Sequence, residues 1–142
     1  AEPAEVTGYP EVILFASTTA ADTDFFARLI DEYPDDGPAL ETCYGMVRAR
    51  HRNGLDREEL VQPGQIVEYK MRLGATSCCF LPGHRIRLEI MSSDFPNHDR
   101  NHNTGKNDIT DAELQVAEQT IYRDSVRPSR LVVRGEFGEL PN

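Results

Sequence analysis

The chain has 142 residues, 39% of them hydrophobic and 27% charged, with a formal net charge of −9. That length supports one core-forming domain and the composition excludes a disordered chain. The acidic balance excludes phosphate-backbone recognition, which needs clustered Lys and Arg, and no apolar run approaches the ~20 residues that span a bilayer.

In chain order, the opening Ala-Glu-Pro-Ala-Glu shows neither a basic nor an apolar leader segment, so no secretory signal is expected. Val12 to Ser17 is a short apolar run suited to a strand buried on both faces. Thr18 to Asp24 is expected to form a short helical turn. Phe25 to Tyr33 reads as a strand that stops at the turn cluster Pro34-Asp-Asp-Gly37. Tyr44 to Arg50 is a further strand, and Leu55 to Leu60 a second possible helical turn.

The clearest strand is Val67-Glu-Tyr-Lys-Met-Arg-Leu73. Val67, Tyr69, Met71 and Leu73 share one face and the charged residues the other, as in an antiparallel sheet with one side buried. Arg85 to Ile90 repeats the pattern, with Ile86, Leu88 and Ile90 inward. Gln115 to Tyr122 and Leu131 to Arg134 complete the set. Turn signals at Asn53-Gly54, Pro63-Gly64, Pro82-Gly83 and Arg127-Pro128 punctuate it. Seven or eight short strands so spaced predict an all-β antiparallel β-sandwich or jelly roll, as one domain over residues 1–142.

Chemistry-bearing patterns are sparse. A serine nucleophile on a strand-to-helix elbow needs Gly-x-Ser-x-Gly, and none of the six serines has both glycines. Cys43, Cys78 and Cys79 form no C-x-x-C pair, so free thiols in a reducing cytoplasm are expected rather than a disulfide or zinc framework. His98 and His102 have a ligand-like spacing, but on a turn-forming segment rather than a helix, so no metal site is expected. Asp22, Asp24, Asp31, Asp35 and Asp36 lack the order of a calcium loop and read as a solvated acidic rim. No cofactor and no catalytic residue is assigned.

The densest polar segment is Ser92 to Gly105. Its Asn and Asp side chains can replace ladder partners where a strand ends. Arg100, with five donors in a rigid fork, is expected to tie several loop acceptors together. Asp94, Arg100, Asn101 and Asn103 are the residues expected to hold this corner as a structural loop that docks on another domain.

Several segments in fixed order resemble one family. They are Val6-Thr-Gly-Tyr-Pro-Glu-Val-Ile-Leu-Phe-Ala-Ser17, Asp22-Thr-Asp-Phe25 and Gly45-Met-Val-Arg-Ala-Arg50 in the first third of the chain. Phe80-Leu-Pro-Gly-His-Arg-Ile-Arg-Leu88, Arg100-Asn-His-Asn-Thr-Gly105 and Pro128-Ser-Arg-Leu131 follow. Together they resemble the C-terminal β-sandwich domain of X-Pro dipeptidyl-peptidase and cocaine-esterase-like (CocE/NonD) serine hydrolases. The resemblance implies a galactose-binding-like jelly roll. It also implies a separate α/β-hydrolase catalytic domain in the same polypeptide, as the partner on which this one packs. The parent reaction would then be acyl transfer to water on a peptide, ester or amide, and this chain alone would be inactive. An apolar docking patch implies some self-association of the chain alone. The alternative is a free-standing carbohydrate- or ligand-binding module, which needs exposed aromatic platforms in a chain without Trp.

Overall fold

The computed structural model describes residues 2–137. The strands are β1 (Ala4–Gly8), β2 (Glu11–Thr18), β3 (Asp24–Glu32), β4 (Ala39–Arg48) and β5 (Val67–Arg72), then β6 (Thr76–Phe80), β7 (Arg85–Met91), β8 (Gln119–Tyr122), β9 (Arg130–Val132) and β10 (Gly135–Phe137). One 3-10 turn, Ala49–His51, is the only helical element among the described residues. All strand pairs are antiparallel.

The strands form two layers. In the first, β2 is flanked by β5 on one side and by β8 and β9 on the other. Its forerunner β1 is flanked by β6 and β10, the chain continuations of β5 and β9. All three lanes are therefore interrupted at one level, near Gly8–Pro10, Leu73–Ala75 and Val133–Arg134. Backbone bonds bridge the break, from Leu73 N–H to Pro10 O (2.8 Å) and from Thr7 N–H to Arg134 O (3.0 Å). The layer is in effect one three-lane sheet bent at a corner, and glycines 8, 74 and 135 at or beside the break fit such a bend. The second layer has the order β4-β3-β7.

Alternation sends Val12, Leu14 and Ala16 of β2 and Tyr69 and Met71 of β5 toward Phe25, Ala27 and Leu29 of β3. All are buried, and the rings of Phe25 and Tyr69 meet across the layers at 4.9 Å. One side of the sandwich is closed where β4 crosses β5. Gly74 N–H donates to Tyr44 O at 2.8 Å, and a Cβ on Gly45 would come within 2.6 Å of Arg72 O. Only a residue without a side chain permits that approach. The other side, between β7 and the β8/β9 lane, is not closed in this way. Ile86, Leu88 and Ile90 point inward as expected, yet Ile86 is 40% exposed and Leu88 and Ile90 are only half-buried.

Some expectations need correction. Thr18–Asp24 is a tight bend, not a helical turn, because its side chains are committed to the interior and to β4. Leu55–Leu60 makes turns without a helix. The strand expected at Tyr44–Arg50 begins at Ala39 and ends at Arg48; its first residues, Ala39 to Glu41, are exposed and show no alternation. Only Gln119–Tyr122 of the expected Gln115–Tyr122 strand is extended in the sheet. β1, β6 and β10 were outside the sequence-based set; each is short, and β6 begins Thr-Ser-Cys-Cys.

Candidate functional site

The β2–β3 bend and the 3-10 turn after β4 meet beneath the polar corner, and charged side chains fill the junction. The acidic side of the junction is Asp22 and Asp24, both fully buried. Asp22 accepts from Arg50 twice, at Oδ1 from the backbone N–H (2.8 Å) and at Oδ2 from Nε (2.7 Å). Asp24 faces Arg48 in the β3–β4 register and receives its guanidinium as a fork, Nε to Oδ1 and Nη2 to Oδ2, each 2.8 Å. Two-point geometry of this kind makes an arginine–carboxylate contact strong and directional. The paired Asp24 carboxylate holds the Arg48 pKa above its ordinary value, with desolvation opposing.

The corner loop plugs into this pair. Asn101 Nδ2 donates to Asp22 Oδ2 (2.7 Å) and to Asp24 Oδ1 (2.9 Å), bridging the two acids. Arg48 Nη1 lies 2.9 Å from Asp108 Oδ2, and Asp108 Oδ1 accepts from the His102 N–H at 3.1 Å. Arg50 Nη2 donates to Lys106 O at 2.9 Å. Asn103, in the left-handed region at φ 63°, donates its backbone N–H to Asn101 Oδ1 and its Nδ2 to Gln115 O. Thr104 Oγ1 donates to Asp111 Oδ2 at 2.8 Å, and that bond with the Glu113 N–H holds the Asp111 carboxyl below its usual range.

A second anchor holds the start of the loop on the outer face of β3. Asp94, buried, pairs with Arg28, whose Nε also contacts Glu41 Oε2 at 3.1 Å. His98 packs over Phe26 with ring centroids 5.2 Å apart. The loop thus covers the outer face of the central strand, which explains why β3 is buried on both sides.

Asp94, Asn101 and Asn103 sit within these anchors. Arg100 does not: it is exposed, its guanidinium lies over the Phe95 ring at 4.7 Å, and no bond from it to a corner acceptor is present among the described residues. The donors expected of Arg100 come from Arg28, Arg48 and Arg50 instead. These three project from sheet strands and the turn after β4, from which a fork can reach the loop without a coiled stem. Asp22 and Asp24, expected on a solvated rim, are the buried centre of the frame. Their signal was present in the sequence as matched spacing, Asp-x-Asp beside an apolar strand and Arg48-x-Arg50 at the end of its partner.

His98 and His102 are half-buried and hold separate positions, one on Phe26 and one at Asp108. Among the described residues no group of three His, Cys, Asp or Glu is placed to hold a metal ion. Cys43, Cys78 and Cys79 are free thiols, and burial raises the pKa of Cys43 and Cys78. Tyr69 is buried, and Tyr9, 56% exposed, carries the Arg72 guanidinium over one face of its ring at 3.8 Å. Two shallow depressions open on the frame, one of about 270 Å³ lined by Arg48, Arg50, Lys106 and Asp108, and a larger one of about 510 Å³ between Phe95, Arg100, His102 and Ile109. Around it stand Ile109, 92% exposed, with Leu114 and Val116, 69% and 89% exposed, further along the same loop.

Comparison with known proteins agrees with this picture of a scaffold. Residues 1–132 match the family model described as X-Pro dipeptidyl-peptidase C-terminal non-catalytic domain. Cocaine esterase of Rhodococcus sp. (strain MB1 Bresler) is 43% identical over 134 residues, which is 93% of this chain and 23% of that protein. The fold superposes on an aminopeptidase from a marine sediment Thaumarchaeota archaeon with a TM-score of 0.90 at 31% identity. The match covers 95% of this chain and 24% of that one. An α-amino acid ester hydrolase gives 0.91 at 29% identity, again over 95% of this chain and 24% of that one. The chain spans about a quarter of the length of these relatives, and it belongs to the X-Pro dipeptidyl-peptidase C-terminal non-catalytic domain family of cocaine-esterase-like hydrolases.

Proposed function

We propose that residues 1–142 act as one accessory domain of a larger serine hydrolase, packing on its α/β catalytic domain and shaping the approach to the active site. The parent reaction is acyl transfer from a peptide, ester or amide to water, and the domain alone is inactive. The single observation that carries the reading is a contradiction in the loop between residues 94 and 116. Its backbone and polar groups are immobilised by buried ion pairs, yet it holds Ile109, Leu114 and Val116 out into solvent. A fixed loop with bare aliphatic tips fits an interface better than a free surface. Three free cysteines support a reducing, cytoplasmic setting for the parent.

The experiment uses the full-length polypeptide. Ile109→Asp should weaken the contact, raising KM for p-nitrophenyl acyl esters several-fold and speeding amide exchange over residues 107–116. Unchanged kinetics together with unchanged exchange would reject the docking role.

A further inference from the structure

We infer that Arg100 is the polar anchor of the docking contact, taking an Asp or Glu side chain of the catalytic domain in the depression between Phe95 and Ile109. The inference rests on the accessory-domain reading and adds to it the chemistry of the surface that is met.

The chain carries 24 acidic residues against 15 basic ones, so a cation left without a carboxylate is the exception. Arg28, Arg48 and Arg50 are all engaged by carboxylates of the frame. Of the two Lys or Arg side chains between residues 94 and 116, Lys106 meets Glu113 at 2.6 Å. Arg100 forms no ion pair among the described residues, although Asp99 and Asp108 line the same depression. Asp108 is already taken by Arg48 Nη1 at 2.9 Å and by the His102 N–H. Asp99 is exposed and, among the described residues, paired with no cation.

The free guanidinium is nonetheless held in place. It lies over the Phe95 ring at 4.7 Å from the centroid, and stacking leaves the in-plane N–H donors clear of the ring. The backbone beneath is fixed at both ends. Asp94, the residue before Phe95, is buried against Arg28, and Asn101, the residue after Arg100, bridges Asp22 and Asp24. A surface arginine normally loses rotamer freedom when it binds, and this one is already restricted before it does.

A fork fixed in this way matches a planar acceptor with two oxygens, which is a carboxylate. A phosphate fits the donors but not the rim, where Asp99 and Asp108 repel a multiply charged anion. Asp99 also disfavours a single carboxylate placed anywhere but on the fork, which narrows its position. Phe95, 58% exposed, and Ile109, 92% exposed, border the depression and would keep water from the pair once covered. The shallow form suits a protruding side chain of a protein surface rather than an enclosed small molecule. The rim continues into Leu114 and Val116, so the neighbour that covers those loop tips is the one that supplies the acid.

The test is made in the full-length polypeptide. Arg100→Lys puts an amine where a carbodiimide can join it to a touching carboxylate with loss of water, and peptide mass spectrometry identifies the acid. The cross-link should join position 100 to one Asp or Glu outside residues 1–142, with no mixed product between isotopically labelled and unlabelled copies. Arg100→Glu should speed amide exchange over residues 107–116 by about tenfold or more, and replacing the identified acid by Lys in the same chain should bring it back to within about threefold of the parent. Cross-links confined to residues 1–142, to a second copy or absent, or unchanged exchange in Arg100→Glu, overturn the inference. The accessory-domain reading survives that result as long as Ile109→Asp still raises KM and exchange, and loss of those effects as well rejects both together.

Discussion

Arg50→Ala is the perturbation that separates the buried frame from a merely crowded polar loop. Truncation removes the Nε bond to Asp22 and the Nη2 bond to Lys106 O. It leaves Asp22, a fully buried carboxylate, with the Arg50 backbone N–H and the Asn101 amide as its remaining donors. Removing one partner of a buried ion pair costs about 3–5 kcal/mol, chiefly because the other charge stays desolvated. For a domain of this size each kcal/mol moves Tm by roughly 2–4 °C, so the melting temperature should fall by about 10 °C. Arg50→Lys should lie between the two, because an ammonium cannot serve both acceptors at once. Arg100→Ala is the control. Its guanidinium is exposed over Phe95, and its loss should move Tm by no more than about 3 °C. Thermal melts followed by circular dichroism, repeated in 0.5 M salt, decide the matter, since a buried pair escapes most screening. Equal effects of the two substitutions, or a shift below about 3 °C for Arg50→Ala, would refute the assignment of the frame.

Gly45→Ala should destabilise by about 1–3 kcal/mol in urea melts, because its Cβ meets the Arg72 carbonyl oxygen at 2.6 Å, with Leu73 Cδ2 and Cα behind it. Burial pushes the Tyr69 phenol up to about 12, against ~10 in the unfolded chain. The folded state then holds this proton more tightly, so its contribution is full below about pH 10 and is lost as pH rises through 12. Tyr69→Phe should flatten that alkaline loss in stability measured between pH 9 and 12. It should also cost little at pH 7, since the hydroxyl has no hydrogen-bond partner among the described residues. Cys43 and Cys78, with raised pKa values, should resist iodoacetamide at pH 7.5 in the folded chain and react once it is unfolded in urea.

What could be read from the sequence was set by where alternation survives. β5 is exposed on one face and buried on the other, so Val67 to Leu73 displays its period openly. β7 alternates in the same way along the sequence although its inward residues are only partly covered, and the Pro82-Gly83 turn before it marks its start. The Asn and Asp side chains of the corner were legible for a related reason, since their local backbone bonds depend on sequence neighbours. The buried frame was not. Its bonds join residues 22 and 24 to 48 and 50 and to 101 and 108, and only the β3–β4 register brings those positions together. Charge in a sequence reads as exposure by default, and it takes a complementary pair on an adjacent strand to reverse that default. Arg100 drew the donor role because it lies inside the loop, but proximity along the chain did not give its side chain an inward path. β1, β6 and β10 escaped for want of length, each being an extension of a lane whose main strand lies elsewhere.

The sheet layout also sets an order in time. β2 lies between β5, some fifty residues later, and β8 and β9, more than a hundred residues later. Lanes of such separation close slowly, because the entropy of the intervening chain is spent before the contact forms. β3 and β4, joined by a short turn, can pair early and set Asp24 beside Arg48 while residue 101 is still distant. During that interval two acids and two arginines stand half-assembled at the edge of a forming core, able to accept one incoming amide and to reject a loop docked out of register. In that order of assembly the corner loop docks last, onto carboxylates that the β3–β4 pairing has already set beside their arginines.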